Sequence, residues 1–373
     1  MKLWRNYRLL ILLVLLVGFA IREVAVELRP SFLRPGLRMF AYVANADSGT
    51  LTAIDLIKLA PVATIPVGAG PTGVRAHPTR KEIWGLSSAG GYAWVLDAVT
   101  NQIVARIPVG ALPYALDFSP DGSRAYVAAS GSNTVVAIDC STRQIVARAR
   151  AGRRPWIARV SPDGKLLVVS NRDDSTVSLL DAASLSSLGV VPVAPQPEQI
   201  VILPDDSKAF VTSGASDQIS TVDLKRKTLL ANLALGSAPD DLILKPDGGE
   251  LYIPSAAAHG LFVVNTQTND VSAFLPLGMS PTDGALTADA DILYISDPAA
   301  GHVIPISIGI RQMASPIPVG QGPRICRLTP GDDILLVANT ASNDLAVIRT
   351  KTLSLITLIP TGPRPQDVAV KVF

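Results

Sequence analysis

Short aliphatic runs separated by polar turns repeat along residues 38–373 at a spacing that never changes. The segments V-G-A-G-P (67–71), V-G-A-L-P (109–113), A-G-R-R-P (151–155), V-A-P-Q-P (193–197), L-G-S-A-P (235–239), L-G-M-S-P (277–281), V-G-Q-G-P (319–323) and T-G-P-R-P (361–365) mark it. Their second residues stand at 68, 110, 152, 194, 236, 278, 320 and 362, each interval is 42 residues, and only Ala194 departs from Gly. Every period holds four runs of strand length. The first follows the Pro, as at 114–118, and ends in turns such as S-P-D-G (119–122, 161–164) or K-P-D-G (245–248). There Pro presets φ and Gly accepts φ > 0. The second run is A-Y-V-A-A (125–129), A-F-V-T-S (209–213) or L-Y-I-P-S (251–255). A polar loop leads to the third, T-V-V-A-I-D (134–139) or T-V-S-L-L-D (176–181), and the fourth is Q-I-V-A-R-I-P-V (102–109) or its equivalents. A lone four-stranded sheet cannot bury both faces, so successive sheets must stack as the blades of a propeller.

Closure can be counted. Runs at 39–45, 50–55 and 62–67 match the second, third and fourth of a period, and a run at 366–373 matches the first. Seven complete periods lie between them. The expected fold is therefore all-β: an eight-bladed β-propeller of 42-residue four-stranded blades, its last blade sewn from three N-terminal strands and one C-terminal strand. Such a ring leaves no open sheet edge. A seven-bladed ring is the alternative, and the count argues against it.

The propeller spans 38–373. Before it, Lys2, Arg5 and Arg8 precede an unbroken apolar run from Leu9 to Ile21, which Arg22 and Glu23 end. About 20 apolar residues are needed to span a bilayer as a helix, so the run reads as a secretory signal peptide or a short membrane anchor over 1–21. Residues 22–37, with Pro30 and Pro35, read as a linker. The basic flank would stay inside, making the propeller periplasmic or secreted, or inner-membrane-anchored facing the periplasm. Membrane contact is expected only through this segment.

Composition narrows the function. Lys+Arg number 33 against 31 Asp+Glu, a formal charge of +2, which excludes the basic excess of a dedicated nucleic-acid binder. Hydrophobic residues are 48% and aromatics 5%, with 28 Gly and 29 Pro, as suits turns between aliphatic strands rather than a helical bundle.

Y-V-A-N (42–45) with L-T-A-I-D (51–55), V-V-S-N (168–171) with T-V-S-L-L-D (176–181), and L-V-A-N (336–339) with D-L-A-V-I (344–348) carry a resemblance to the YVTN-type β-propeller repeat family. The resemblance covers 38–373. It extends to lactonase-like and quinoprotein-type propellers and to the eight-bladed haem domain of cytochrome-type nitrite reductases. It implies a fold and an extracytoplasmic habit, not one chemistry.

The Asp at 55, 97, 139, 181 and 223 recurs in phase, so it reads as a turn residue bonding nearby backbone N–H groups. Function is better sought where the repeats differ. The fourth-to-first and second-to-third loops of a blade share one face of the disc, and there the residues around the hinge Pro vary. Arg153, Arg154 and Trp156 lie in blade 3, with Tyr114 before them. Glu198, Asp240, Asp241 and Asp283 lie in blades 4 to 6, Arg324 in blade 7, and Arg364 with Asp367 in blade 8. An acidic arc facing a basic arc is expected round one mouth, a site for a small polar or zwitterionic ligand or a charged protein partner. The bland reading is a solvated rim of weakly paired charges. Asp173 and Asp174 share that face but lack calcium-loop spacing, so no metal is expected. His77, His259 and His302 have no Cys or third His beside them, and no C-x-x-C-H is present, so no cofactor is expected either. Cys140 and Cys326 fall three blades apart and are expected to be free thiols.

With no nucleophile elbow, phosphate loop or HExxH segment, no catalytic residue is assigned and the sequence leans away from an enzyme. The expectation is an exported, non-enzymatic, monomeric binding scaffold. A lactonase-like hydrolase or lyase, or a redox accessory protein of the quinoprotein or haem-d type, is the alternative.

Overall fold

The computed structural model describes residues 38–373; the predicted leader and linker lie outside the described residues. Eight antiparallel sheets follow one another along the chain. Seven are contiguous in sequence. The eighth pairs Pro365–Val372 against Met39–Asn45, followed outward by Thr50–Asp55 and Ala60–Pro66. This is the eight-bladed propeller closed by three N-terminal strands and one C-terminal strand. Phe373 stacks on Phe40 with ring centroids 5.8 Å apart, and Lys371 Nζ donates to His77 O, so the last strand is fastened to its own blade and to the next. Among the described residues no helix is long and apolar enough to cross a membrane.

Burial follows position within the blade. Second and third strands are almost wholly buried, as in Met39–Asn45 and Ile334–Asn339. Fourth strands alternate half-buried and exposed, as in Gln144–Arg150, because they form the circumference. The apolar clusters lie between neighbouring blades, with Trp84 and Trp94 fully buried, so each interface is a separate piece of core.

The repeated third-strand Asp is a turn residue. Asp55 Oδ1 accepts from Ile57 N and Lys58 N, and Asp97, Asp139 and Asp223 accept in the same way. Asn265 keeps both bonds without the charge.

At three hinges the Gly has a shared steric cause. A Cβ at Gly152 would stand 2.6 Å from Asn171 Cγ, at Gly320 2.5 Å from Asn339 Nδ2, and at Gly362 2.7 Å from Asn45 Cγ. Each Asn ends a second strand and ties it to the third: Asn45 Nδ2 donates to Thr50 and Thr52, Asn171 Nδ2 to Thr176 and Ser178. Where the hinge is Ala194, the corresponding residue is the smaller Ser213.

Three elements depart from the repeat. The inner strands of blades 5 and 6 shrink to Ile243–Leu244 and Gly284–Leu286, although Asp240 N still bonds Pro254 O and Thr282 N bonds Ser296 O. The outer strand of blade 6 is split into Gln312–Met313 and Ile317–Pro318, with Pro316, which has no N–H to give, in the gap.

Candidate functional site

The inner strands line a central channel. One or both of the first two residues after the hinge Pro line it in most blades, and these positions differ from blade to blade. Tyr114, Gln199, Asp240, Asp241, Thr282, Asp283, Arg324, Arg364 and Gln366 enclose a mouth cavity of about 400 Å³. A throat of about 310 Å³ continues it, adding Arg75, Arg159, Arg327 and Asp367. A groove of about 420 Å³ between blades 4 and 5 lies at the Pro-Asp turns instead. Its one cationic side chain, Lys208, is spent on the carbonyls of Thr266 and Gln267 and on Asn269.

Ion pairing sorts the residues expected from the sequence. Arg153 Nε lies 2.5 Å from Asp174 Oδ1, and Arg154 lies 3.7 Å from Asp173. The two acids of the second-to-third loop therefore serve the two arginines of the neighbouring hinge, and none of the four lines the cavity. Glu198 is held 2.7 Å from Arg172. Trp156 stacks on Tyr114 with centroids 3.6 Å apart, and Arg172 lies over its ring. These residues build the wall behind Tyr114. Arg364 pairs with Asp47 at 2.9 Å.

Asp240, Asp241, Asp283 and Arg324 do share the cavity. Asp283 lies 3.5 Å from Arg327 and accepts from Cys326 N at 2.6 Å. Among the described residues Asp240, Asp241 and Arg324 have no ion-pair partner within 4 Å. Partial burial raises the Asp240 carboxyl above its ordinary range, offset in part by the Ala256 N–H that it accepts and, less, by Arg324. Asp241 is pushed well above that range, first by burial and then by the Asp283 carboxylate. Burial raises Asp283 too, against the pull of Arg327. Two facing carboxyl groups away from bulk water cannot both ionise cheaply, and the proton stays with Asp241. Burial likewise raises the Tyr114 phenol.

The sequence reading missed Arg75, Arg159 and Arg327. They stand at the fourth position after the hinge Pro, two residues beyond the variable pair. On a strand the second and fourth positions face the same way, and that alternation was the available signal.

The histidines stay outside the channel. His259 Nδ1 contacts Met279 O at 2.6 Å, and His302 Nε2 lies 4.0 Å from Asp297. Asp297 is itself occupied by Met279 N and Ser280 N. His77 is buried beneath the first-to-second turn of blade 1, accepting from Thr79 N and Arg80 N. Among the described residues no three His, Cys, Asp or Glu are grouped to hold a metal ion. Both cysteines are buried and free.

The family described as Cytochrome D1 heme domain matches residues 86–232, within blades 1 to 4. The dihydro-heme d1 dehydrogenase NirN, solved in complex with DHE, superposes with a TM-score of 0.77 at 16% identity, over 89% of this chain and 74% of that one. The two share the propeller fold. Apo AztD from Citrobacter koseri follows with a TM-score of 0.70 at 12% identity, over 90% of this chain and 98% of that one. Hydrazine synthase of Kuenenia stuttgartiensis gives 0.62 at 20%, over 75% and 95%. No curated protein matches the sequence.

A haem needs an axial donor, which proteins supply as His, Cys, Met or Tyr. Of the residues lining mouth and throat only Tyr114 belongs to that set. The walls are carboxyl, guanidinium and amide groups, with Ala115, Ile157 and Ile325 as their larger apolar patches. Tyr114 is thus the single axial donor this lining offers, and its ring is held by stacking on Trp156, so the lining fits a haem poorly, whatever its relatives in fold hold.

Proposed function

We propose that the chain is a binding propeller whose channel mouth takes a small polar ligand. One observation carries this reading: Asp240, Asp241 and Arg324 are gathered in one cavity without ion-pair partners, while the other charged residues of that face are neutralised by their neighbours. Polar groups left without a protein partner in a concave mouth are held only by water, and a ligand of complementary charge takes the water's place. A volume of about 400 Å³ suits a small molecule at the lower end of the usual range. Residues 1–21 support action outside the cytoplasm.

Native mass spectrometry of the gently purified full chain, beside an Asp240→Asn/Asp241→Asn protein, tests the reading. A low-mass species carried by the wild type and lost from the variant supports it. The same species on both proteins places the ligand elsewhere and refutes it. The raised Asp241 carboxyl beside Asp283 is the one feature of the mouth that an acid–base enzyme would use, and turnover of the bound species that is lost in Asp241→Asn would favour that second reading.

A further inference from the structure

Below the mouth, three guanidiniums from three blades face one cavity: Arg75 in blade 1, Arg159 in blade 3 and Arg327 in blade 7. Their ion pairs are loose. Arg75 is 3.4 Å from Asp367, Arg159 is 3.6 Å from Asp117, and Arg327 is 3.5 Å from Asp283 and 3.8 Å from Asp367. At the rim, Arg172–Glu198 and Arg364–Asp47 close to 2.7 and 2.9 Å. The throat carboxylates are held back because each accepts a backbone N–H of the next blade. Asp367 takes Val74 N at 2.9 Å, Asp283 takes Cys326 N at 2.6 Å, and Asp117 takes Val160 N at 3.1 Å. A guanidinium carries five N–H donors; Arg75 gives one to Val74 O, Arg327 one to Cys326 O and Arg159 one to Ile200 O, which leaves donors free on each for a ligand. The three arginines also feel one another. Burial, chiefly, lowers the Arg75 pKa, and Arg327 and Arg159 lower it further against Asp367.

The eightfold ring fixes what faces what. Blade 1 lies opposite blade 5, so Arg75 looks across the channel at Asp241; blade 2 lies opposite blade 6, so Tyr114 looks at Asp283. Arg75, Tyr114 and Arg159 occupy three consecutive blades. Asp241 and Asp283 occupy two consecutive blades on the other side. Between them Asp367 stands 3.4 Å from Arg75 and 3.8 Å from Arg327, Arg327 stands 3.5 Å from Asp283, and Gln199 and Gln366 are uncharged. Arg75 and Arg159 thus stand on one side of the throat and Asp241 and Asp283 on the other, linked by the chain of contacts through Asp367 and Arg327.

We propose that the throat binds a zwitterion lying across the channel, its carboxylate on Arg75 and Arg159 and its ammonium on Asp241 and Asp283. The inference rests on the channel-binding reading and adds the ligand class and its orientation. A planar carboxylate matches guanidinium forks, and Tyr114 O–H is placed to donate beside them. The ammonium finds one ionised and one protonated carboxyl, a pair of single negative charge, and it takes the place of the shared proton that keeps the second carboxylate from forming.

The test is isothermal titration of the full chain with oligoglycines of two to four residues, and with the same peptides blocked at one end. N-acetylation removes the ammonium, and C-terminal amidation removes the carboxylate. The expected result is that the free peptides bind and each blocked form binds at least tenfold more weakly. Arg75→Gln/Arg159→Gln should abolish the discrimination against the amidated peptide alone. Asp241→Asn should abolish that against the acetylated peptide alone. Thermal melts confirm that each variant folds, and Arg159→Gln by itself is the fallback where the double variant does not. Equal binding of free and blocked peptides overturns the inference, and so does the failure of well-folded wild type to bind any free peptide at millimolar concentration. A native ligand of one charge sign that is still lost on Asp240→Asn/Asp241→Asn would also overturn it, leaving the channel-binding reading in place.

Discussion

Asp241 costs the folded chain stability at neutral pH. Its carboxyl is held well above the usual range by burial and by Asp283, so the folded state binds a proton that the unfolded chain has released. Stability from this group is full below the unfolded value of about 3.9 and is lost as pH rises toward the folded value. Asp241→Asn should therefore be more stable than wild type at pH 7, with the gain shrinking toward pH 4, as urea unfolding at a series of pH values will show. An unchanged difference across that range would contradict the shared proton. Asp283 behaves in the opposite sense on substitution, because its oxygen holds Cys326 N at 2.6 Å. Asp283→Ala, which removes that acceptor where Asn would keep one, should lose about 1–3 kcal/mol in the same assay. His77 sets the acid limit of the opposite end. Burial lowers its pKa, so its neutral form is favoured and stability falls as pH drops below about 6.5. Asp240, Asp241, Asp283 and Arg324 were legible in the sequence, because a residue that breaks a strict period stands out. Which charges would cancel was not legible: Arg153 and Arg154 meet Asp174 and Asp173 through loops of the same blade, and no period reports a contact distance.

At the scale of the element, turns and strands could be read because their causes are local. The position of Gly122, Gly164 and Gly248 has φ of 70°, 73° and 76°, and Asp206, Ala290 and Asp332 hold 58° at the same phase, so the turn survives without Gly. The coupling of hinge Gly to second-strand Asn was not legible, since the two residues lie 19 apart and meet only through the pleat. Gly152→Ala should cost about 1–3 kcal/mol, since its Cβ would stand 2.6 Å from Asn171 Cγ. Adding Asn171→Ser, the pairing that the chain itself uses at Ala194 and Ser213, should recover much of the loss. A double-mutant cycle measured by denaturant unfolding reads this out, and strict additivity would contradict the pairing. The shortened inner strands of blades 5 and 6 escaped the sequence reading for a different reason. Their aliphatic pattern is intact at 242–244, and the irregular stretch begins where Asp240, Asp241 and Asp283 enter the channel wall.

At the scale of the molecule, ring closure joins stability to function. The strand Pro365–Val372 completes the last blade, and it also places Gln366 and Asp367 in the channel, with Asp367 bonding Val74 N across the seam. Removing residues 365–373 should open the ring and expose two sheet edges. The expected outcome is loss of the single cooperative thermal transition and aggregated elution on size exclusion, whereas an unchanged melt would show that closure is dispensable. The most direct test of the central claim, that the channel is the binding site, is hydrogen exchange on the full chain with and without the ligand identified by native mass spectrometry. The account predicts new protection at 240–244, 282–286 and 323–328, whose residues line the mouth. Protection confined to the outer strands or to the Pro-Asp turns of the opposite face would contradict it.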